Sequence, residues 1–128
     1  MTARFDLETT FLGMDGAGKI APLPVGPDFW ETIDDNPDVG STLVSMSVGQ
    51  GDWAHWEMHP KGDEVLVLID GSLRVIFDRD GRDEPHAMTA GATLIVPAGV
   101  WHRAVGQRDA RMLFMTYGEG TQHRPVRA

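Results

Sequence analysis

The sequence predicts an all-β domain, a sandwich or barrel, and three observations support this. Fifteen glycines and eight prolines punctuate the chain, at intervals of roughly eight to twelve residues, as expected between short strands. The runs between them are rich in Val, Ile, Leu and aromatic side chains, which favour strands. Helix signals are thin, with a single candidate cap near the N-terminus. We therefore expect short strands joined by turns.

Runs of this kind are predicted as strands at residues 43–48, 52–59, 65–69, 73–77, 93–97, 100–105 and 111–117. The Asp-Gly pairs at 70–71 and 80–81 are typical of two-residue hairpin turns, and Pro-Ala-Gly at 97–99 predicts a tight break. Residues 78–90 are expected to separate two β halves.

The first forty residues differ from the rest, because they hold APLPVGP followed by DFWETIDDNPDVG. Asp28 is a candidate cap for one short helical turn. Phe29 and Trp30 are the candidates for packing this segment on the barrel. The predicted organisation is an N-terminal arm over residues 1–40, a β-barrel over 41–118 and a tail over 119–128.

Composition excludes several classes of protein. The chain has 128 residues and 41% hydrophobic side chains, enough for one domain with its own core. Its formal charge of −8 would repel a phosphate backbone, so we expect no nucleic-acid partner. No apolar run is long enough to cross a membrane and no signal peptide is evident, so we expect a cytoplasmic protein without a membrane partner. It has no cysteine, so any metal must be held by nitrogen and oxygen ligands.

The stretch HWEMHPKGDE, residues 55–64, concentrates ionisable side chains. Alternate side chains of a strand share a face, so His55, Glu57 and His59 are expected on one face. A turn then leads to Glu64 at the start of the next run, and GATLIVPAGVWH carries His102 further along the chain. These side chains suit a metal site, or else a metal-free group of polar residues that hydrogen-bond one another.

The spacing of these residues resembles the first motif of the cupin superfamily, G-x5-H-x-H-x3–4-E-x6-G. The sequence supplies Gly51, Glu57, His59, Glu64 and Gly71 at the matching positions. Every spacing agrees, and one residue departs from the motif, because Glu57 stands where the first histidine is expected.

The second cupin motif, G-x5-P-x-G-x2-H-x3-N, is matched by Gly91, Pro97, Gly99 and His102, with Gly106 in place of the asparagine. The two motifs together span nearly half of the chain. The resemblance implies a small antiparallel jelly-roll barrel.

In metal-binding cupins these motif positions hold a transition metal, so the resemblance implies Glu57, His59, Glu64 and His102 as ligands. A second carboxylate makes the donor set harder, which favours Mn or Fe, with Zn, Ni or Co as alternatives. A barrel that binds no metal remains an alternative. His55 is expected to orient Glu57, to act as an acid or base, or to replace Glu57 as a ligand if the strand bulges.

The leading hypothesis is a metal-dependent enzyme that acts on a small organic molecule as a dioxygenase, isomerase or lyase, with Glu57 or His55 as the catalytic acid or base. The alternatives are a non-catalytic barrel that binds or senses a small ligand, and a metal-free acid/base enzyme. The fold does not decide among them.

The remaining aromatic and thioether side chains are expected in the core or the cavity wall, namely Trp53, Trp101, Met112, Phe114 and Met115. Tyr117 suits either a wall or a proton donor. His123 either lies in a solvated tail or reaches the cavity mouth. Trp56 and Met58 are expected beneath the arm or in a dimer contact, because small cupins commonly pair through sheet edges; a homodimer is therefore predicted.

Overall fold

The computed structural model describes residues 4–127, which form mainly antiparallel strands with one short helix and a 3₁₀ turn. In chain order the elements are β1 (Thr10–Met14), β2 (Ile20–Pro24), α1 (Phe29–Thr32), the 3₁₀ turn (Ile33–Asp35), β3 (Thr42–Gly51), β4 (His55–Met58), β5 (Glu64–Arg79), β6 (Arg82–Thr89), β7 (Thr93–Val96), β8 (His102–Thr116) and β9 (Gln122–Pro125).

Strand β8 is the centre of the sheet. One of its edges pairs with β5 along nearly its whole length, and the other pairs with β3 and β4. The far edge of β5 takes β7 and β6, while β1 and β2 extend the sheet beyond β3 and β9 extends it beyond β4. Every pair is antiparallel. The result is the expected antiparallel jelly-roll barrel.

The β5–β8 pair curls back on itself, and this curl positions the candidate site. His102 and Thr116 stand at opposite ends of β8, which would be about 46 Å apart in a straight strand. Both nevertheless contact Glu64: His102 Nε2 lies 3.1 Å from its Oε1 and Thr116 Oγ1 lies 2.6 Å from its Oε2. The ladder shifts register between Leu68 and Arg74, as expected where bulges bend a sheet.

Two of the predicted turns are confirmed and one is wrong. Residues 80–81 form the β5–β6 hairpin with positive φ at both positions, and residues 97–99 break the chain between β7 and β8. Residues 70–71 form no hairpin, because β5 continues through them with Gly71 at φ 83°. The predicted strands at 100–105 and 111–117 are parts of the single strand β8, and the expected separator at 78–90 contains β6.

The N-terminal segment contains a hairpin that the sequence did not predict, because β1 and β2 pair with each other and β1 pairs with β3. Phe29 is buried and its ring meets that of Phe11 edge-on at 5.2 Å. Trp30 contacts both rings but remains 63% exposed. Asp28 precedes the helix as expected, although its side chain makes no capping hydrogen bond.

The main core is built from side chains of β5, β6, β7 and β8. It contains Leu66, Leu68, Leu73, Val75, Phe77, Met88, Val96, Ala110 and Met112. Full burial of each large side chain contributes about 1.5–3 kcal/mol. Most of these side chains belong to β5 and β8, so the core anchors the two strands that carry Glu64 and His102.

Candidate metal centre

Four side chains that are distant in sequence meet inside the barrel. Glu57 comes from β4, His59 follows that strand, Glu64 begins β5 and His102 begins β8. Each offers one ligand atom, and these atoms lie within 4.8 Å of one another. His59, Glu64 and His102 are buried, while the side chain of Glu57 is 24% exposed. The structure therefore brings together all four residues that the sequence predicts as ligands.

The loop between β4 and β5 is fixed by hydrogen bonds from two backbone N–H groups and by close packing against Tyr117. The N–H of Gly99 donates to the carbonyl of His59 at 2.9 Å, and the N–H of Ala98 donates to Asp63 Oδ1 at 2.8 Å. A Cβ on Gly62 would lie 2.5 Å from the Cβ of Tyr117, so only glycine fits there. These contacts join the loop that follows His59 to the break that precedes His102.

Hydrogen bonds on the outer nitrogen of each imidazole set its tautomer. The Thr121 hydroxyl donates to the carbonyl of Gly118, so it accepts a hydrogen bond from His59 Nδ1 at 2.7 Å. His102 Nδ1 donates to the carbonyl of Val100 at 3.0 Å. A neutral imidazole that donates from Nδ1 leaves a lone pair on Nε2. Both Nε2 atoms therefore face the cluster as potential ligands.

Glu64 is held in the same manner. Its Oε2 accepts a hydrogen bond from the Thr116 hydroxyl at 2.6 Å, whereas Oε1 faces the two imidazoles, 3.3 Å from His59 Nε2 and 3.1 Å from His102 Nε2. Within the described part of the chain these three inward atoms are buried and lack a hydrogen bond of normal geometry. Buried polar atoms are rarely left so. A bound cation would satisfy all three, so the donor set fits a metal ion.

The electrostatics of the cluster favour positive charge. Burial raises the pKa of the Glu64 carboxyl, but the two adjacent imidazoles outweigh this and lower it to about 2. Burial lowers the pKa of His102, but Glu64, the Val100 carbonyl and Glu57 together raise it. The cluster therefore stabilises the ionised Glu64 carboxylate together with a positive charge beside it. Either a proton on an imidazole or a metal ion can supply that positive charge.

Glu57 connects the cluster to the C-terminal strand. Its Oε2 lies 3.7 Å from Nε2 of both His59 and His102, and its Oε1 accepts a hydrogen bond from His123 Nε2 at 3.2 Å. Strand β9 pairs with β4 so that His123 stands opposite Glu57. His123 therefore lies at the cavity mouth, one of the two positions considered for it.

His55 lies apart from this group. It is exposed at the start of β4, opposite Pro125, and does not line the cavity beside the cluster. Among the described residues the hydrogen-bond partner of Glu57 is His123. A catalytic role for His55 stays a prediction.

Sequence reasoning missed Thr121 and Thr116, which hold His59 and Glu64 in place. Thr116 could have been predicted, because Met112, Phe114 and Thr116 stand at alternate positions of one strand and therefore share a face. Thr121 had none, since its contact depends on how the tail folds over the barrel.

Replacing His123 with alanine should lower Mn²⁺ affinity by about tenfold, since partners that orient a ligand typically contribute at least this much. The variant leaves Glu57 free to rotate away from the cluster. Isothermal titration of metal-free protein with Mn²⁺ measures the effect. The matched control is His86→Ala, which removes an imidazole that pairs with Glu84 outside the cavity and should leave affinity unchanged. Equal affinities for the two variants would contradict an orienting role.

A cavity of about 950 Å³ opens beside the cluster, within the range of small-molecule sites. The rings of Trp53 and Phe114 are stacked in its wall at 6.4 Å, and Tyr117 contributes another aromatic side chain. Of the other residues expected in the core or the cavity wall, Met112 belongs to the core, and the ring of Trp101 packs under the guanidinium of Arg124 at 4.5 Å.

Trp56 lies on the outer face of β4, beneath the guanidinium groups of Arg103 and Arg124, at 5.7 and 5.5 Å from its ring. This contact replaces packing under the arm, one of the two placements expected for Trp56, and the other, a dimer contact, stays a prediction.

Within residues 4–127 no helix is long and apolar enough to cross a membrane.

Comparison with known proteins gives the family of the chain. Residues 42–116 match the cupin domain. A germin-like protein of Arabidopsis thaliana, subfamily 1 member 1, is 29% identical over 100 residues, which are 76% of this chain and 46% of that protein. The chain spans about half the length of the sequence relatives it matches.

Two solved structures share the fold. Oxalate decarboxylase of Bacillus subtilis, which has Mn(II) centres, is 18% identical over 73% of this chain and 26% of its own, with a TM-score of 0.57. Hydroquinone 1,2-dioxygenase of Sphingomonas sp. TTNP3, with 4-hydroxybenzoate bound, is 17% identical over 58% of this chain and 57% of its own, with a TM-score of 0.50. Since the matched domain covers more than half of the sequence and carries the whole histidine–carboxylate cluster, the protein belongs to the cupin family.

Proposed function

We propose that the protein binds one divalent transition metal ion through Glu57, His59, Glu64 and His102 and acts on a small organic molecule. One observation carries this proposal. The inward atoms of three buried ligands converge without hydrogen-bond partners, while the outward atom of each is fixed by Thr121, Thr116 or the Val100 carbonyl. Residues that only hydrogen-bond one another would satisfy their inward atoms as well.

Mn²⁺ or Fe²⁺ is the favoured metal, because two carboxylates and two imidazoles form a harder donor set than three imidazoles and one carboxylate. The likeness to oxalate decarboxylase, which has Mn(II) centres, supports this choice. Zn²⁺, Ni²⁺ and Co²⁺ are the alternatives.

The reaction is proposed to be a dioxygenation, an isomerisation or a lyase reaction such as decarboxylation. A bound ion would supply Lewis acidity that stabilises negative charge on a substrate oxygen. His59, Glu64 and His102 are fixed by hydrogen bonds and serve as ligands. Glu57 is partly exposed, and its Oε1 faces His123. When Glu57 is not bound to the ion, it is therefore the preferred group to accept a proton from the substrate or donate one to it, with His123 exchanging that proton with solvent.

Protein purified without a tag and reconstituted with Mn²⁺ or Fe²⁺ should contain about one equivalent of metal, because the four ligands form a single site. Elemental analysis of dialysed protein measures the content. Less than about a tenth of an equivalent of any transition metal after reconstitution would be incompatible with a resident ion.

The alternative is a barrel that binds a small ligand without converting it. The aromatic cavity supports this function as well as it supports an enzyme. Ligand binding by the metal-loaded protein with no turnover of any ligand would favour the alternative.

A cytoplasmic location and a homodimer belong to the same proposal. Strands β2 and β9 end the path of the sheet in the described part of the chain. Strand edges at such positions are available for pairing with a second copy.

A further inference from the structure

We infer that the cavity selects an uncharged aromatic molecule with a hydroxyl or carbonyl oxygen and discriminates against carboxylates. This inference rests on the proposed function, because it names the class of ligand that would occupy the same site. Three features of the cavity carry it: the charge of its lining, the charge of the ligand set, and the uncharged groups along its wall.

Apart from the imidazoles of His59 and His123, the ionisable side chains that line the cavity and are charged at neutral pH are all acidic. Among the described lining residues they are Asp34, Glu57, Glu64 and Glu119, and no lysine or arginine is present. Lys61, which is not among the lining residues, pairs through its Nζ with Glu119 at 3.0 Å, and both side chains are exposed. A carboxylate that enters the cavity would lose its hydration and find no lysine or arginine in the lining to pair with, which is costly.

The negative charge of Glu57 also makes the metal centre less attractive to a carboxylate. With Glu57 and Glu64 ionised and both imidazoles neutral, the ligands balance the charge of a divalent ion. A histidine at position 57, as in the usual cupin motif, would leave one positive charge to attract an anion. The departure from the motif therefore removes the electrostatic attraction that a carboxylate ligand needs.

Uncharged groups complete the wall. Trp53 and Phe114 stack in it, and Tyr117 lies at its edge, which suits an aromatic ring. Ser45 and Ser47 project from β3 into the cavity, and within the described chain their hydroxyls have no hydrogen-bond partner. These hydroxyls can donate to a neutral oxygen without contributing charge. Oxalate is therefore not expected to bind, despite the shared fold with oxalate decarboxylase.

The test uses two probes of nearly the same shape, 4-hydroxybenzamide and 4-hydroxybenzoate, which differ in charge. Isothermal titration of the Mn²⁺-loaded protein should show the amide binding at least about tenfold more tightly. Tryptophan fluorescence gives a second readout, because Trp53 and Trp30 line the cavity. Equal or tighter binding of the benzoate would overturn the inference, as would binding of neither probe.

Glu57→His should reverse part of this preference, raising benzoate affinity about tenfold relative to amide affinity. Glu119→Gln leaves the cluster intact and should shift the ratio a few-fold in the same direction. The matched control is Glu31→Gln, which removes the same charge from an exposed helical residue outside the cavity lining and should leave the ratio unchanged. An unchanged ratio in Glu57→His would count against the charge argument.

Metal content, measured first, separates the two proposals. A protein that takes up no metal contradicts the proposed function. The probe titrations still decide the inference in that case, because the cavity lining is acidic without the ion as well. A protein that holds metal and prefers the benzoate retains the proposed function and loses only the inference.

Discussion

Replacing Glu64 with glutamine should weaken Mn²⁺ binding by at least about 100-fold, because even loss of an outer partner of a ligand costs about 10–100-fold. Glu64 is the centre of the cluster, since its Oε1 lies within 3.3 Å of both Nε2 atoms. The amide keeps the size of the side chain and can still accept from Thr116. It removes the buried negative charge that the two imidazoles surround.

Thermal or urea unfolding with and without Mn²⁺ gives a second measurement of the same effect. Metal at one hundred times its Kd should raise the unfolding free energy of the unmodified protein by about 2.7 kcal/mol, and at the same metal concentration this gain should fall to about 0.4 kcal/mol or less in Glu64→Gln. Glu31→Gln makes the same chemical change on an exposed surface and should keep the full gain. If Glu64→Gln retains metal within a few-fold of the original affinity, Glu64 is not a ligand.

The cluster could be predicted from the sequence because its members occupy fixed positions in two local motifs. The spacing of Glu57, His59 and Glu64 follows from a strand and a tight turn, which are local features. That His102 joins them followed only from the resemblance to the cupin motifs. Nothing local to residues 91–102 says which part of the chain they face.

The residues that orient the ligands could not be predicted from the sequence for a related reason. Thr121 and His123 contact His59 and Glu57 only because β9 pairs with β4 in one register. A short polar strand carries little hydrophobic pattern, so its pairing and register are weakly specified by sequence. The local sequence of the tail therefore predicts only a solvent-exposed segment.

The wrong turn at residues 70–71 has another cause. An Asp-Gly pair supplies the same positive φ whether it closes a hairpin or forms a bulge in a continuing strand. Residues 80–81 close a hairpin, whereas residues 70–71 form a bulge within β5. The difference lies in the partner strand, because β8 runs alongside both halves of β5 and bends at the same level, with Asp109 at φ 47°.

Substituting Gly71 with alanine should therefore lower the unfolding free energy by about 2–4 kcal/mol, which urea unfolding can measure. A Cβ at this position would lie 2.3 Å from the carbonyl oxygens of both Arg108 and Asp109, and the backbone has φ +83°. Gly81→Ala is the matched control, because its φ is +86° but nothing lies within 4 Å of the added Cβ. It should cost only the conformational strain, about 1 kcal/mol.

The larger loss expected at Gly71 depends on the close approach of β8 at the bend, and equal losses for the two variants would show that this approach is not needed. The bend also brings His102 and Thr116, from opposite ends of β8, to Glu64. Alanine at position 71 should therefore weaken Mn²⁺ binding although the position is remote from the ion, whereas Gly81→Ala should not. Destabilisation with unchanged metal affinity would mean that the cluster is held by its own hydrogen bonds rather than by the curl of the sheet.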